Sequence, residues 1–438
     1  MITQTLLPFK IEKSKETLTA HAGLAVAHEF NLAAGLEKLL NRHLPPPGSN
    51  RGHKPAEWIM PLILMLQGGG NDLNDIRVIA QDTALRRLCN LRKVPDESTL
   101  GDLLRRTGES TKAMDGLSDT LTELIHIALL EGKTSDFTFD PDATIIAANK
   151  YDAAVAYEGT KGYQPMLGFL AENRCLIYDD FRNGNASPAS GILDALKTAQ
   201  SRMVKGTRIA RFRSDSAAYN HEITDYCEKQ NIYFAIGADW DSAVTKQYNG
   251  FKNNDWTQLT VPRTGKLRET AETIHSFNEG KGSFRLVFVR DVDPQGELFP
   301  TGRRGRAVIT NLPPEITAAE VINWYNGRGT AENYIKELKY QFGLLGVPCG
   351  QLHANAAWCR IAALAYNLFL MQQALGLPEE LSASSVATVR WQVYQLAGRI
   401  VSHARNTCLR IAADLRTLDV LHGIRAAASR LSVQCGFT

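Results

Sequence analysis

No stretch of this sequence is apolar for long enough to cross a bilayer. The longest run, WIMPLILML at 58–66, carries Pro61 and is half of the roughly 18 residues a span needs. The opening MITQTLLPFKIEKSKE lacks a basic start, an apolar core and a small-residue cleavage site, so no secretory leader is expected and a cytoplasmic protein is. Cysteine is sparse: seven residues, an odd number, with no CxxC pair, which argues against a disulfide framework and for reduced, mostly core thiols. The ten histidines are scattered singly, so the paired ligands of a structural zinc site are missing. Internal repeats and low-complexity tracts are also absent. Net charge is only +3, yet positions 383–438 hold seven Arg and no Lys against two Asp, a local basic excess of the kind that meets a polyanion.

What remains is ordinary globular material: 438 residues, 44% hydrophobic and 22% charged, enough for two or three packed domains. Residues 1–134 carry Leu and Ile at spacings of three and four, as in HEFNLAAGLEKLLNRHL and MDGLSDTLTELIHIALLEG, which predicts a small helical domain. LPPPGSNRGHKP at 44–55 is a loop. In VPDESTLGDLLRR, Asp96 or Ser98 can cap a short helix bearing Arg105 and Arg106. A helix-turn-helix and a plain bundle are both compatible with that spacing.

From residue 135 the period changes to two. The order is a strand (DFTFDPDATII), a hairpin (YQPMLGFLAENRCLIYDDFRNGN), a helix, a strand (TRIARFRSD), a helix and a strand (IYFAIGA), the skeleton of a mixed α/β sheet. Residues 239–312 interrupt it as a β-rich insertion. Helix resumes after NLPPEIT, with Thr317 as a cap, and continues through 341; an Arg-rich helical region occupies 376–438.

Three acids fall where α/β folds build sites. Asp142 closes the first strand, Asp215 follows the strand RIARFRS, and Glu332 lies on the resumed helix. Each has a plainer reading, as a turn residue, a helix cap or a solvated charge. Three converging carboxylates need a cation between them. All-oxygen donors suit Mg²⁺ or Mn²⁺, and two such ions about 4 Å apart stabilise both oxygens of a phosphodiester displacement. Along YNGRGTAENYIKELK, Tyr325, Arg328, Glu332, Lys336 and Lys339 share one face if the segment is a single helix. The cations of that stripe could follow the phosphates of a bound strand; the plain reading is a solvated face.

The spacing Tyr325, Arg328, Glu332, Lys339 is the Y-x2-R-x3-E-x6-K signature, and the sequence resembles the DDE-type bacterial insertion-sequence transposases that carry it. DPDAT, YEGTKGYQPMLGF, DDFRNGN, RSDSAAY and VITNLP resemble further blocks of that family, over most of residues 95–375. The resemblance implies an RNase H-like core, split into 135–238 and 313–375 around the insertion. It implies catalytic and metal-binding roles for Asp142, Asp215 and Glu332 with two Mg²⁺ or Mn²⁺ ions. It also implies cut-and-paste transposition of double-stranded DNA bounded by terminal inverted repeats into target DNA, by a homodimer. Period two leaves Asp140 and Asp142 on the same strand face, so it cannot choose between them; the family's D-x-T pattern favours Asp142. Lys161, Tyr163, Arg211 and Arg213 are further DNA-contact candidates, each with a scaffold role as the alternative. Trp240 and Trp256 are either core residues or a platform for an extruded base. A non-catalytic DNA-binding relic and a stand-alone metal-dependent nuclease are the competing functions.

Overall fold

A computed structural model describes residues 9–49, 51–260, 267–277, 281–291, 305–403, 406–434 and 436. Five strands form the centre: β1 (Asp136–Ala143), β2 (Met166–Leu170), β3 (Leu176–Asp180), β4 (Arg208–Ser214) and β5 (Tyr233–Gly237). Across the sheet they run β3-β2-β1-β4-β5. The β1–β4 and β4–β5 pairs are parallel, while β1–β2 and β2–β3 are antiparallel. That order and polarity are those of an RNase H-like core. Phe137, Phe139, Phe212 and Phe234 fill one face of it. Helices α1 (Ile192–Ser201) and α2 (His221–Lys229) make the crossovers that parallel strands require.

The insertion is β-rich as expected, but it does not stand apart. Its strands β6 (Thr257–Thr260), β7 (Leu267–Phe277), β8 (Lys281–Asp291) and β9 (Gly305–Thr310) continue the same sheet, because β9 pairs with β5 through Val308–Gly237, Ile309–Ile236 and Thr310–Ala235. An open edge at β5 would leave a row of unpaired backbone groups, and β9 closes it. Trp256 is buried under the Arg290 guanidinium, 4.0 Å from its ring centroid, and Trp240 packs edge-on against Tyr248. Both belong to the insertion's core here.

Two helices follow. The first, α3 (Ala318–Asn326), starts at a Thr317–Glu320 capping box, and α4 (Gly329–Gln341) follows it. The single helix expected through 341 is therefore divided. At the junction the amides bond three residues back, Gly327 to the Trp324 carbonyl at 3.0 Å and Arg328 to Tyr325 at 2.9 Å, so the turn tightens and the face carrying Tyr325 rotates relative to Glu332. Ile335, Leu338 and Tyr334 on α4 are buried, with Tyr334 against Phe169 of β2. Burying Ile or Leu in this way contributes about 1.5–3 kcal/mol each.

Residues before 134 are helical, but they are not an independent unit. The long helix α5 (Leu352–Gly376) lies at the middle of the molecule, packed on Pro55–Gly68, Glu97–Glu109, Thr111–Glu131 and Leu415–Gln434 and on β3. It is predominantly apolar and mostly buried, with Trp358 and Tyr366 fully buried and its polar Asn355 and Asn367 buried as well. Asp96 caps Glu97–Glu109 by accepting from the Thr99 amide at 2.8 Å. That helix is wedged against α5 closely enough that a Cβ on Gly108 would lie 2.1 Å from the His353 carbonyl oxygen, which is bundle packing rather than a free-standing helix-turn-helix. The C-terminal helices are joined by a hairpin, Gly398–His403 with Asn406–Ile411, which pairs with Leu18–Thr19. Of the C-terminal arginines, Arg390 is buried on the Leu66 and Gln67 carbonyls, and Arg399 and Arg425 pair with Glu16 and Glu29. Much of the basic excess is thus spent inside the protein. Five cysteines are buried and Cys408 is exposed; Cys435 lies outside the described residues. Among the described residues no helix is long and apolar enough to cross a membrane.

Candidate active site

Strands β1 and β4 lie parallel, with Thr138 opposite Arg211 and Phe139 opposite Phe212. Side chains on one face alternate, so Thr138 and Asp140 of β1 face Arg211 and Arg213 in successive rungs. On the first rung Arg211 donates to Thr138 Oγ1 at 3.0 Å, and also reaches the Asp136 carbonyl and Glu172. The second is a bidentate ion pair in which Arg213 Nε and Nη2 bond Asp140 Oδ1 and Oδ2 at 2.9 and 2.6 Å. Beyond that pair, Asp142 and Asp215 line the same pocket.

This separates the two candidates for the first acid. Asp140 is 1% exposed and its oxygens are bonded to Arg213. Asp142 opens onto a pocket of about 230 Å³ that it lines with Pro141, Thr144, Ser214 and Asp215. Asp215 caps the turn after β4, accepting from the Ala217 amide at 3.0 Å with Oδ1. Burial pushes Asp142 up to about 6; Arg328 pulls against that shift, and the nearby charges of Asp215 and Glu332 add to it.

Arg328 supplies the cation between the acids. Its Nη1 lies 3.4 Å from Asp142 Oδ2 and its Nη2 lies 3.3 Å from Glu332 Oε1, so one guanidinium spans the carboxylates of β1 and α4. Glu332 remains 62% exposed. Three acids converging with no basic neighbour among them was the expectation; a cation of the protein itself sits there. Among the described residues no group of three acids, histidines or cysteines is arranged to hold a metal ion. The donor chemistry of Asp142, Asp215 and Glu332 is all hard oxygen, which fits a divalent cation of the Mg²⁺ type, with Arg328 occupying the space between two of them.

The remaining candidates divide by access. Tyr325 packs its hydroxyl over Gly237 at the end of β5, where any Cβ would come within 2.8 Å of it, and burial raises its pKa. Lys339 donates to the Ile145 carbonyl at 2.8 Å, which ties α4 to the chain just past Asp142. Lys336 is exposed, and Lys161 is exposed with one long bond of 3.4 Å to Asn149. Two of the expected DNA contacts are enclosed in this structure. Tyr163 is fully buried, donating to Asp152 at 2.7 Å and packed on Phe181, and Arg213 is closed off by its ion pair. Arg211 is likewise held in the sheet by three partners. Arg105 pairs with Asp102 on its own helix, and the exposed Arg106 bonds the Asp102 carbonyl at 3.3 Å. The Asp140–Arg213 pair was missed as a unit in the sequence. Its signal was the double alternation Asp140/Asp142 and Arg211/Arg213/Asp215, legible only once the register of β1 on β4 is known.

An RNase H-like sheet with acids at the ends of β1 and β4 and on the helix after an insertion defines the class of DDE-type DNA-processing enzymes. The family described as Transposase DDE domain group 1 matches residues 8–433, and the chain belongs to it. It is a DNA transposase, and enzymes of this family cleave DNA and transfer the cut strand with divalent metal ions. Among solved structures, the cryo-EM structure of the piggyBac transposase synaptic complex with hairpin DNA is similar over 96% of this chain and 84% of that one, at 8% identity and a TM-score of 0.45. A likeness of that degree carries no argument about function. No protein in the curated comparison matches.

Proposed function

We propose that this chain moves an insertion sequence by cut-and-paste transposition, with Asp142, Asp215 and Glu332 as its catalytic, metal-holding acids and Mg²⁺ or Mn²⁺, two ions, as the cofactor. The observation that carries the reading is that Asp142 and Asp215 line one pocket, with Arg328 as the cation beside Asp142, while Asp140 is closed off in its bidentate pair with Arg213. Divalent ions held there would activate water and offset charge on the entering and leaving oxygens of a phosphodiester. Water attacks the phosphorus at the element's end and releases a 3′-OH; that hydroxyl then attacks a target phosphodiester and displaces its 3′ oxygen, so one bond forms as one breaks in each step.

Arg328 must leave Asp142 and Glu332 for both to serve a metal, and a DNA phosphate is the anion suited to receive a planar, bidentate donor. Lys336 and Lys161 reach solvent and can follow the backbone. Tyr325 and Lys339 hold the ends of β5 and β1 in place, and Lys339 keeps further N–H groups for a phosphate. We further propose a homodimer that holds two terminal inverted repeats, within a catalytic unit divided as 135–238 and 313–375.

The test is a cleavage and joining assay with the full chain, Mg²⁺ or Mn²⁺, and DNA from either side of its reading frame. Nicks at repeat ends and joined products support the reading; cuts without joining would reduce it to a nuclease. Binding without cutting would reduce it to a relic.

A further inference from the structure

Asp142, Asp215 and Glu332 sit on three segments far apart in sequence, and the third arrives only after the whole insertion. Something must fix the α3–α4 junction against the ends of β1 and β4. One side chain touches all three segments. Arg213, two residues before Asp215, grips Asp140, two residues before Asp142, through Nε and Nη2. Its remaining terminal nitrogen, Nη1, donates to the Trp324 carbonyl at 2.8 Å, on the last turn of α3 before the junction that leads to Glu332. The guanidinium also lies 5.6 Å from the centroid of the Trp324 ring. The Trp324 carbonyl is the same one that takes the Gly327 amide in the tightened turn.

Gly327 makes the arrangement possible. A Cβ at that position would lie 2.2 Å from Arg213 Nη1 and 3.2 Å from Cζ, inside contact distance of a group that cannot retreat without leaving Asp140. Its backbone is ordinary right-handed helix, so the glycine is required by space and not by conformation. The step Gly327–Arg328 thus exists to admit a guanidinium.

We propose that Arg213 is the positioning residue of the active site: itself buried, it locks the spacing of β1, β4 and the α3–α4 junction so that the three acids reach a metal together. The inference rests on the assignment of those acids above. The planar guanidinium meets both Asp140 oxygens and the Trp324 carbonyl through three separate nitrogens; a lysine ammonium keeps the charge and three donors but loses that bidentate geometry. Misplacing a reacting group by about 1 Å can cost roughly 100-fold in rate.

The experiment uses the full-length protein and the variants Arg213→Lys, Gly327→Ala and Asp142→Asn. It measures single-turnover cleavage of terminal DNA, DNA affinity by fluorescence anisotropy, and Mn²⁺ binding by electron paramagnetic resonance titration. All are done at a temperature where near-ultraviolet circular dichroism shows each variant folded. Arg213→Lys and Gly327→Ala should each lower the cleavage rate by about 100-fold and weaken Mn²⁺ binding several-fold, with DNA affinity within about threefold of the parent. Gly327→Ala is the stricter case, because it removes no charge and no donor, and it keeps the inference testable if Arg213→Lys does not fold. Folded variants that cleave like the parent overturn the proposal, as does a loss of cleavage matched by equal loss of DNA binding. If Asp142→Asn itself cleaves, the assignment of the acids has failed and this inference falls with it; an inactive Asp142→Asn beside active Arg213→Lys and Gly327→Ala sinks the positioning role alone.

Discussion

The inner and outer ends of the β1–β4 ladder are built from the same kinds of residue and do opposite work. Inside, Asp140 meets Arg213 and the charge is closed in a buried bidentate pair. Further out, Asp142 has Asp215 nearby, and the nearest cation, Arg328, belongs to another element and stands 3.4 Å away. A fold that wanted only stability would repeat the inner rung. Burial pushes both Asp140 and Asp142 up to about 6, so what sets the outer acid apart is its place on a pocket that it lines with Asp215.

The sharpest way to break this contrast is by chemistry. Asp142→Asn and Glu332→Gln should each lower DNA cleavage by roughly 10³-fold or more while leaving terminal-DNA binding nearly intact, because the shape survives and the charge does not. A gel assay on end-labelled DNA beside a binding titration checks it, and equal losses in both would refute the division. The inner rung should fail differently. Asp140→Ala leaves a buried guanidinium without its partner and should cost about 3–5 kcal/mol of stability in denaturant titration.

A smaller effect concerns pH in the metal-free protein. The folded state raises Asp142 from 3.8 to about 6, so it binds a proton that the unfolded chain has already released, and stability falls as pH rises through that window. Asp142→Asn should therefore melt a few degrees above the parent at pH 7.5, with the gap closing by about pH 4. A gap that widened toward acid would reverse the assigned sign. The smallest effect belongs to the exposed cations. Lys336→Ala and Lys161→Ala should each reduce the slope of log affinity against log salt by about one, whereas Tyr163→Phe should leave that slope alone and lower the melting temperature slightly. A truncation at residue 135 is not a fair test of DNA recognition, since it would strip α5 of the helices that bury it.

Local pattern was enough to place most elements. Period two marked β1 to β5, Asp96 or Ser98 was the expected cap of Glu97–Glu109 and Asp96 is the one used, and Thr317 marked α3. These signals act over a few residues, through caps, alternation and turn chemistry, so they survive without knowledge of partners. Where expectation and structure differ, the deciding contact comes from far along the chain. The stripe from Tyr325 to Lys339 is divided at Gly327–Arg328, and it is there that the Arg213 guanidinium, more than a hundred residues away in sequence, bonds the Trp324 carbonyl. Tyr163 looked like a surface residue of a basic block until Asp152 and Phe181 enclosed it.

By itself the sequence determined the order of elements, the family signature and the three acids worth watching, because spacing along a chain records which residue types recur together. Periodicity alone could not choose between Asp140 and Asp142, which share a face of one strand, and only the family's D-x-T pattern favoured Asp142. Tertiary structure shows how their surroundings differ: Arg213 grips the first with two nitrogens, while the second lines a pocket with Asp215. A carboxylate's role depends on the charge across from it, and that charge is set by pairing between distant strands, which no local spacing contains.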